Sequence, residues 1–375
     1  MINIIYLDNS ATTNITQPVL DAMIPYLTTQ YYNPSSIYSP SRKVHNDIEQ
    51  ARKTIAKAIN AKPNEIYFTS GGSESNSWVI SNFLSVLTSN IEHHSILNAP
   101  NTFNAIKVNQ NGIVDNLDNI PTLIRDYTAR LVSVMYVNNE IGTIQPIKQI
   151  AEICHKNNTL IHTDAVQAFG SVKIDVKELD VDFLSLSGHK FHAPKSTGIL
   201  YVKEGRNLLP LIYGGKQERA KRGGTENIYG IIGMAKAMEL YNYDIEKSLR
   251  VSNMRDKLLN IIQSNVSDII INGDMKNKVC GNLNISFKGI EAESLSLQLD
   301  MEYICVSAGS ACNSGSLDPS HVLQAINVPE DYIRGTIRIS INEFNTNEEI
   351  EYVGNKIIEI VNKLRAINNY YNYKS

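Results

Sequence analysis

Two charged side chains stand where apolar runs end. The stretch Ser185-Leu-Ser-Gly-His-Lys190 closes the apolar run that begins at Val181 and puts a lysine directly after a Ser-Gly-His turn. A lysine at the edge of a buried strand is placed to be desolvated, which lowers its pKa and makes its amine nucleophilic. Upstream, His162-Thr-Asp164-Ala-Val-Gln167 puts an aspartate at the end of another apolar run. An imine-forming lysine and a carboxylate that keeps a pyridine nitrogen protonated are the two demands pyridoxal phosphate makes of a protein. Either residue alone says little, because a lysine after a strand is by default a solvated loop residue.

The third reactive residue is a thiol. The run Ser307-Ala-Gly-Ser-Ala-Cys312-Asn-Ser-Gly-Ser316 surrounds one cysteine with small residues. Such a run cannot pack a core, so an exposed, mobile loop is expected, the setting in which a thiol can move and react. Of the other cysteines, Cys154 and Cys305 lie in apolar patterns and read as buried structural thiols, and Cys280 sits beside Gly281 with no evident role. None shows the CxxC spacing of a metal site, and no metal is expected.

The elements that must position these groups follow from periodicity. A short strand is expected at Ile4–Asp8, a helix at Pro18–Thr28, and a long helix from Pro40 with Val44, Ile48, Ala51, Ile55 and Ile59 on one face. Ile66-Tyr-Phe-Thr69 is a strand; Ser70-Gly-Gly-Ser-Glu-Ser75 is the turn after it, with helix from Asn76. A Gly-rich turn feeding a helix offers free N–H groups to a phosphate, although an ordinary βα turn reads the same way. Leu131–Val137, Thr159–Thr163, Val181–Leu186 and Gly198–Val202 read as further strands, with a helix at Ile147–Lys156. Strands alternating with helices predict a largely parallel sheet with ligands at the carboxyl ends of its strands. Ser70, Asn139, Asp164 and Lys190 all lie just past such ends.

Gly214–Asn227 is Gly-rich and basic, hence a loop, and a helical region follows to about Ser264. Beyond it the pattern changes. Asn282–Phe287 and Thr336–Ile341 read as strands, Ala292–Leu299 and Pro319–Ile326 as helices, and Thr346-Asn-Glu-Glu349 as a capping box ahead of a final helix. The division expected is a large α/β unit, residues 12–255, and a smaller α+β unit, residues 1–11 and 256–375, which carries the Cys312 run.

Composition narrows the setting. The chain has 375 residues, 42% of them hydrophobic and 19% charged, with a net charge of −3, so nothing points to nucleic acid or an anionic membrane as a partner. No apolar run reaches the ~18 residues of a membrane span, and the N-terminus lacks the basic region of a signal peptide. A cytoplasmic protein is expected.

The motifs, in order, resemble the cysteine desulfurases of the NifS/IscS type. They are Tyr6-Leu-Asp-Asn-Ser-Ala-Thr-Thr13, Asn33-Pro-Ser-Ser36, Phe68-Thr-Ser-Gly-Gly-Ser-Glu-Ser-Asn76, Glu92-His-His-Ser95, Val137-Asn-Asn-Glu-Ile-Gly142, His162-Thr-Asp-Ala-Val-Gln167, Ser185-Leu-Ser-Gly-His-Lys190, Gln217-Glu-Arg219, Gly224-Thr-Glu-Asn227, Ser307-Ala-Gly-Ser-Ala-Cys312 and Ser320-His-Val-Leu323. The resemblance implies the class V, aspartate aminotransferase-like (type I) fold of pyridoxal phosphate enzymes and a homodimer. The reaction it implies converts L-cysteine to L-alanine and leaves the sulfur as a persulfide on Cys312. A sulfur-acceptor protein would then serve iron–sulfur cluster assembly or tRNA or cofactor thiolation.

By the same resemblance Lys190 is the Schiff-base lysine, Asp164 pairs with the pyridinium nitrogen and Gln167 bonds the ring hydroxyl. His93 stacks on the ring, with His94 in support. Gly72, Ser73, Ser187 and His189 hold the phosphate, and Thr225 reaches in from the other subunit. Asn139 and Arg338 take the substrate carboxylate. Departures from the family pattern are confined to surroundings: His192-Ala-Pro-Lys-Ser-Thr-Gly198 after the lysine, Lys216 before Gln217, Asn342 after the Arg338 strand, and shortened stretches on either side of His93.

Overall fold

The computed structural model describes residues 4–308 and 319–368; Cys312 lies outside them. The chain enters through β1 (Ile5–Tyr6). Seven strands then build one sheet: β2 (Ile66–Thr69), β3 (Val86–Ser89), β4 (Thr102–Ile106), β5 (Leu131–Ser133), β6 (Leu160–Asp164), β7 (Phe183–Ser187) and β8 (Gly198–Val202), in the order β2-β8-β7-β6-β5-β3-β4. Every pair from β7 to β4 is parallel; β8 runs against both its neighbours. Residues of β3, β5, β7 and β8 are buried throughout, as expected of strands covered on both faces.

Helices supply the covering layers for the reasons their sequences suggest. The helix Ser39–Ala58 buries Val44, Ile48, Ala51 and Ile55, spaced three and four apart. Ile147–Lys156 buries Ile147, Ile150, Ala151 and Cys154 in the same way. These stripes and the sheet meet in the larger hydrophobic core. One polar strap crosses the middle of the sheet: His162 on β6 joins Ser133 on β5 (2.8 Å) to Ser185 on β7 (3.0 Å). Full burial drives the His162 pKa down to about 3, so the ring bridges the strands as a neutral group.

The rest of the chain forms a second sheet, order β12-β13-β10-β9, from β9 (Ile269–Asn272), β10 (Asn282–Phe287), β12 (Ser307–Ala308) and β13 (Thr336–Ser340), all paired antiparallel. β11 (Ile304–Cys305) pairs in parallel with β1. A separate core unites Ile5 and Leu7 with Val251, Leu258, Ile285, Ile339 and Ile357. The closing helix Asn347–Ile367 starts from the Thr346/Glu349 capping box that its sequence announces.

Three expectations shift. The strand expected at Leu131–Val137 ends at Ser133, because Met135 N–H turns away to Glu92 (3.0 Å) and Val137 bridges Ile144 instead. The helix after the Gly-rich turn starts at Gly72 rather than Asn76. Gly214–Asn227 contains a short turn, Gln217–Ala220, in which Glu218, Arg219 and Ala220 all take left-handed φ. Among the described residues no helix is long and apolar enough to cross a membrane.

Candidate active site

The strand ends converge on one pocket with about 900 Å³ of open space. Gly72, Ser73, His93, Asn139, Asp164, Gln167, Ser187, His189, Lys190 and Arg338 all line it. Thr225 is exposed and is not among the lining residues. His94 also faces elsewhere, its ring 4.9 Å from that of His321.

At one end the chain is stripped of side chains. Gly71 holds φ at +151°, and a Cβ on Gly72 would lie 2.6 Å from Val166 Cγ2. Gly198 of β8 packs so closely that its own Cβ would meet Gly71 Cα at 2.6 Å. Glycine is therefore required by space as well as by backbone conformation. This bare turn opens the helix Gly72–Ile80, whose first N–H groups and dipole suit an anion. Ser73, Ser187 and His189 surround the same end. The His189 pKa falls to about 4, first through burial and then through Lys190 and Lys195, so its ring is neutral.

Along the pocket's length the groups suit a flat, protonated heteroaromatic ring. Asp164 is buried at the tip of β6, with Oδ1 accepting from Val166 N–H (2.9 Å) and Oδ2 from Asn76 Nδ2 (2.6 Å). Both oxygens are thereby held without a cation. Gln167 Nε2 donates to Ser10 O (2.9 Å). Lys190 follows β7 in a single tight turn, and its Nζ donates to Ser10 O (2.7 Å) and Ala11 O (2.8 Å). The N-terminal segment thus steadies the amine. The residues present fit pyridoxal phosphate: a bare anion cradle, a buried carboxylate, a histidine on the wall and an amine. Among the described residues no group of three or more His, Cys, Asp or Glu is arranged to hold a metal ion.

The opposite wall comes from the second sheet. Arg338 on β13 is buried; its Nη2 donates to Asp8 Oδ1 (2.7 Å) and Ser307 Oγ (3.0 Å), and its Nη1 to Asn139 O (3.0 Å). Its Nε is buried without a partner, so donor capacity remains for a carboxylate. Beyond the undescribed run that holds Cys312, Ser320 bonds the buried Glu140, and His321 Nε2 bonds Glu92 O (3.0 Å). Burial lifts the pKa of Glu140 to about 7 and that of Glu92 to about 8.

Residues 5–353 match the family described as aminotransferase class-V. A cysteine desulfurase IscS of Methanosarcina thermophila is 45% identical over 96% of this chain and 93% of its own length. The chain belongs to the cysteine desulfurases. Among solved structures, a NifS-like protein from Rickettsia africae superposes with a TM-score of 0.88 at 33% identity, over 96% of this chain and all of that one. Another is described as SspA in complex with cysteine, with a TM-score of 0.79 at 33% identity, over 91% of this chain and 99% of that one. The mostly parallel sheet expected from the strand–helix alternation, and the type I fold implied by the family resemblance, are those of this desulfurase family.

Several residues that shape this desulfurase pocket escape a reading of the sequence. Asn76, Ser10, Asp8 and Glu92 lie in the family motifs, yet their types suggest only turn or surface positions. Asp8 is an acid at the end of a two-residue strand, and nothing local shows that its partner is Arg338. Burial is the missing signal for Asn76 and Glu92, and a partner distant in the chain for Asp8 and Ser10.

Proposed function

We propose that this chain removes sulfur from L-cysteine, releasing L-alanine and keeping the sulfur as a persulfide on Cys312 for an acceptor protein in iron–sulfur cluster assembly or tRNA or cofactor thiolation. The observation that carries the reading is the convergence of Lys190, Asp164, His93 and the bare Gly71–Gly72 turn on one pocket. The relative bound to cysteine supports L-cysteine as substrate.

In this reading Lys190 would hold pyridoxal phosphate covalently, and Gly72, Ser73, Ser187 and His189 would hold its phosphate. Asp164 would keep the ring nitrogen protonated, Gln167 would bond the ring hydroxyl and His93 would pack against the ring. Bound there, the cofactor supplies an electron sink for the pair left on the substrate α carbon. Lys190 Nζ, the one primary amine among the described residues of the pocket, takes and returns the α proton. Arg338 and Asn139 would orient the substrate carboxylate. The Cys312 thiolate attacks the substrate sulfur. One S–S bond forms, the C–S bond breaks with its electron pair on carbon, and a proton completes alanine, so no outside oxidant is needed.

Two features support a homodimer. Thr225 stands clear of its own pocket on a loop pinned by the Arg52–Glu218 and Arg222–Glu74 pairs, which supports a role toward a partner's phosphate. Leu20, Ile24 and Leu27 also form an exposed apolar stripe on the helix Gln17–Thr28. The two separate cores support a division into a large and a small unit, with Ile5 and Leu7 on the small side.

The test is the visible absorbance of purified protein with persulfide labelling. Yellow protein bleached by borohydride is expected, with a Cys312→Ser variant that stays yellow and forms no persulfide. A colourless protein that cannot take up pyridoxal phosphate would sink the reading, as would full persulfide formation by the variant.

A further inference from the structure

Asn76, described above only as a donor to Asp164, also reaches the group that holds His93. It is buried in the first turns of the helix Gly72–Ile80 and lines the pocket. One N–H of its amide reaches Asp164 Oδ2 (2.6 Å) and the other reaches Ser95 Oγ (2.9 Å). An ionised carboxylate only accepts hydrogen bonds, so the amide nitrogen, not the oxygen, must face Asp164. Its Oδ1 is left buried with no partner.

That orientation sets the direction of every bond after it. Ser95 Oγ accepts from Asn76, so its own proton is free to point at His93 Nδ1, 2.8 Å away. The Ser95 backbone N–H also donates to His93 Nδ1 (3.1 Å), because His93 caps the short helix His94–Leu97. A backbone N–H cannot reverse its role. His93 Nδ1 is therefore an acceptor, and the ring proton of the neutral imidazole sits on Nε2.

We infer that Asn76 and Ser95 are positioning residues that hold Asp164 and His93 in one directed hydrogen-bond chain and fix His93 as its Nε2–H tautomer, so that His93 acts toward the pocket as a hydrogen donor and not as a base. The catalytic consequence rests on the desulfurase reading: proton abstraction falls to Lys190 alone, and His93 serves by donating to whatever negative charge gathers beside it. The chain also makes His93 and Asp164 one unit, fixed by a single amide on the pocket wall.

The measurement is the ring-nitrogen NMR of His93 in full-length protein labelled at histidine. Its signal is identified by its loss in His93→Gln, and spectra are taken with and without added pyridoxal phosphate. In the cofactor-free protein we expect the Nε2–H pattern for wild type and for Ser95→Thr, which keeps the hydroxyl. In Asn76→Ala and Ser95→Ala the Ser95 backbone N–H still donates to Nδ1, so we expect the Nε2–H tautomer to persist with a clear shift of the Nδ1 resonance as the hydroxyl donor is disordered or lost. Asn76→Ala should also weaken cofactor binding by about ten- to hundredfold, the loss of one hydrogen bond to a charged group. Wild-type His93 protonated at Nδ1 would overturn the inference, and so would unchanged spectra in both alanine variants. Because the cofactor-free spectra read the tautomer without turnover, a failure of the desulfurase reading would show separately, as absent cofactor binding.

Discussion

On one wall of the pocket, Asp164, Lys190 and the Gly71–Gly72 turn each follow within a few residues of a strand of the parallel sheet. On the other wall, Arg338 is held by Asp8, 330 positions away in the chain, and by Asn139, 199 positions away. The first wall's groups are brought to one edge by strand pairing, and the N-terminal segment then holds the Lys190 amine. The second exists only when the N-terminal segment, β13 and the loop after β5 have all docked. The contrast suits the proposed chemistry. A cofactor needs a fixed seat, whereas a substrate anchor works best when it is tied to the segment that carries the attacking thiol. Ser307, at the root of that segment, shares both Arg338 and Asp8.

Removing the local wall should cost most. Lys190→Ala is expected to lower alanine production by about 10²–10⁴-fold, the range for loss of a positioned acid–base group. Its visible absorbance should change as well, since the imine has no amine to form with. Near-normal turnover would refute the role given to Lys190.

Breaking the assembled wall should act on binding first. Arg338→Met is expected to raise KM for cysteine about ten- to hundredfold, from about 1.5–3 kcal/mol of lost charge-assisted hydrogen bonding. Cofactor absorbance should stay intact. If the KM of Arg338→Met were unchanged, the carboxylate would have to bind elsewhere.

A third effect, on stability and not on turnover, lies at Glu92. Its carboxyl is fully buried, which raises the pKa from 4.5 to about 8. Between those values the native state holds a proton that the unfolded chain has lost. Stability from this group is therefore complete below about pH 4.5 and declines as pH rises toward 8, by at most about 1.4 kcal/mol per pH unit. Urea unfolding of wild type and Glu92→Gln from pH 5 to 8 should show the two curves diverging, with the variant flatter. Parallel curves would mean that Glu92 is already ionised in the folded protein.

Much of the first wall could be read in advance, because strand, turn and reactive residue are adjacent in sequence. Apolar runs ending in Asp164 and Lys190 predicted their own placement, and the glycines of the Ser70–Ser75 turn marked the place where a phosphate would need bare backbone. The residues that hold those groups were harder to see. Asn76 looks like any polar helix residue until Asp164 and Ser95 are brought to within 3 Å of it. Asp8 looks like a turn residue until β1 pairs with β11 and carries the following residues past β13.

The sequence by itself determined which chemistry is present: an amine and a carboxylate at strand ends, a run of small residues around Cys312, and the periodicities that build two cores. Tertiary structure alone decided how that chemistry is aimed. Hydrogen-bond direction, the tautomer of His93 and the grip on Arg338 depend on which distant donors and acceptors are buried together, and burial is a property of the folded whole.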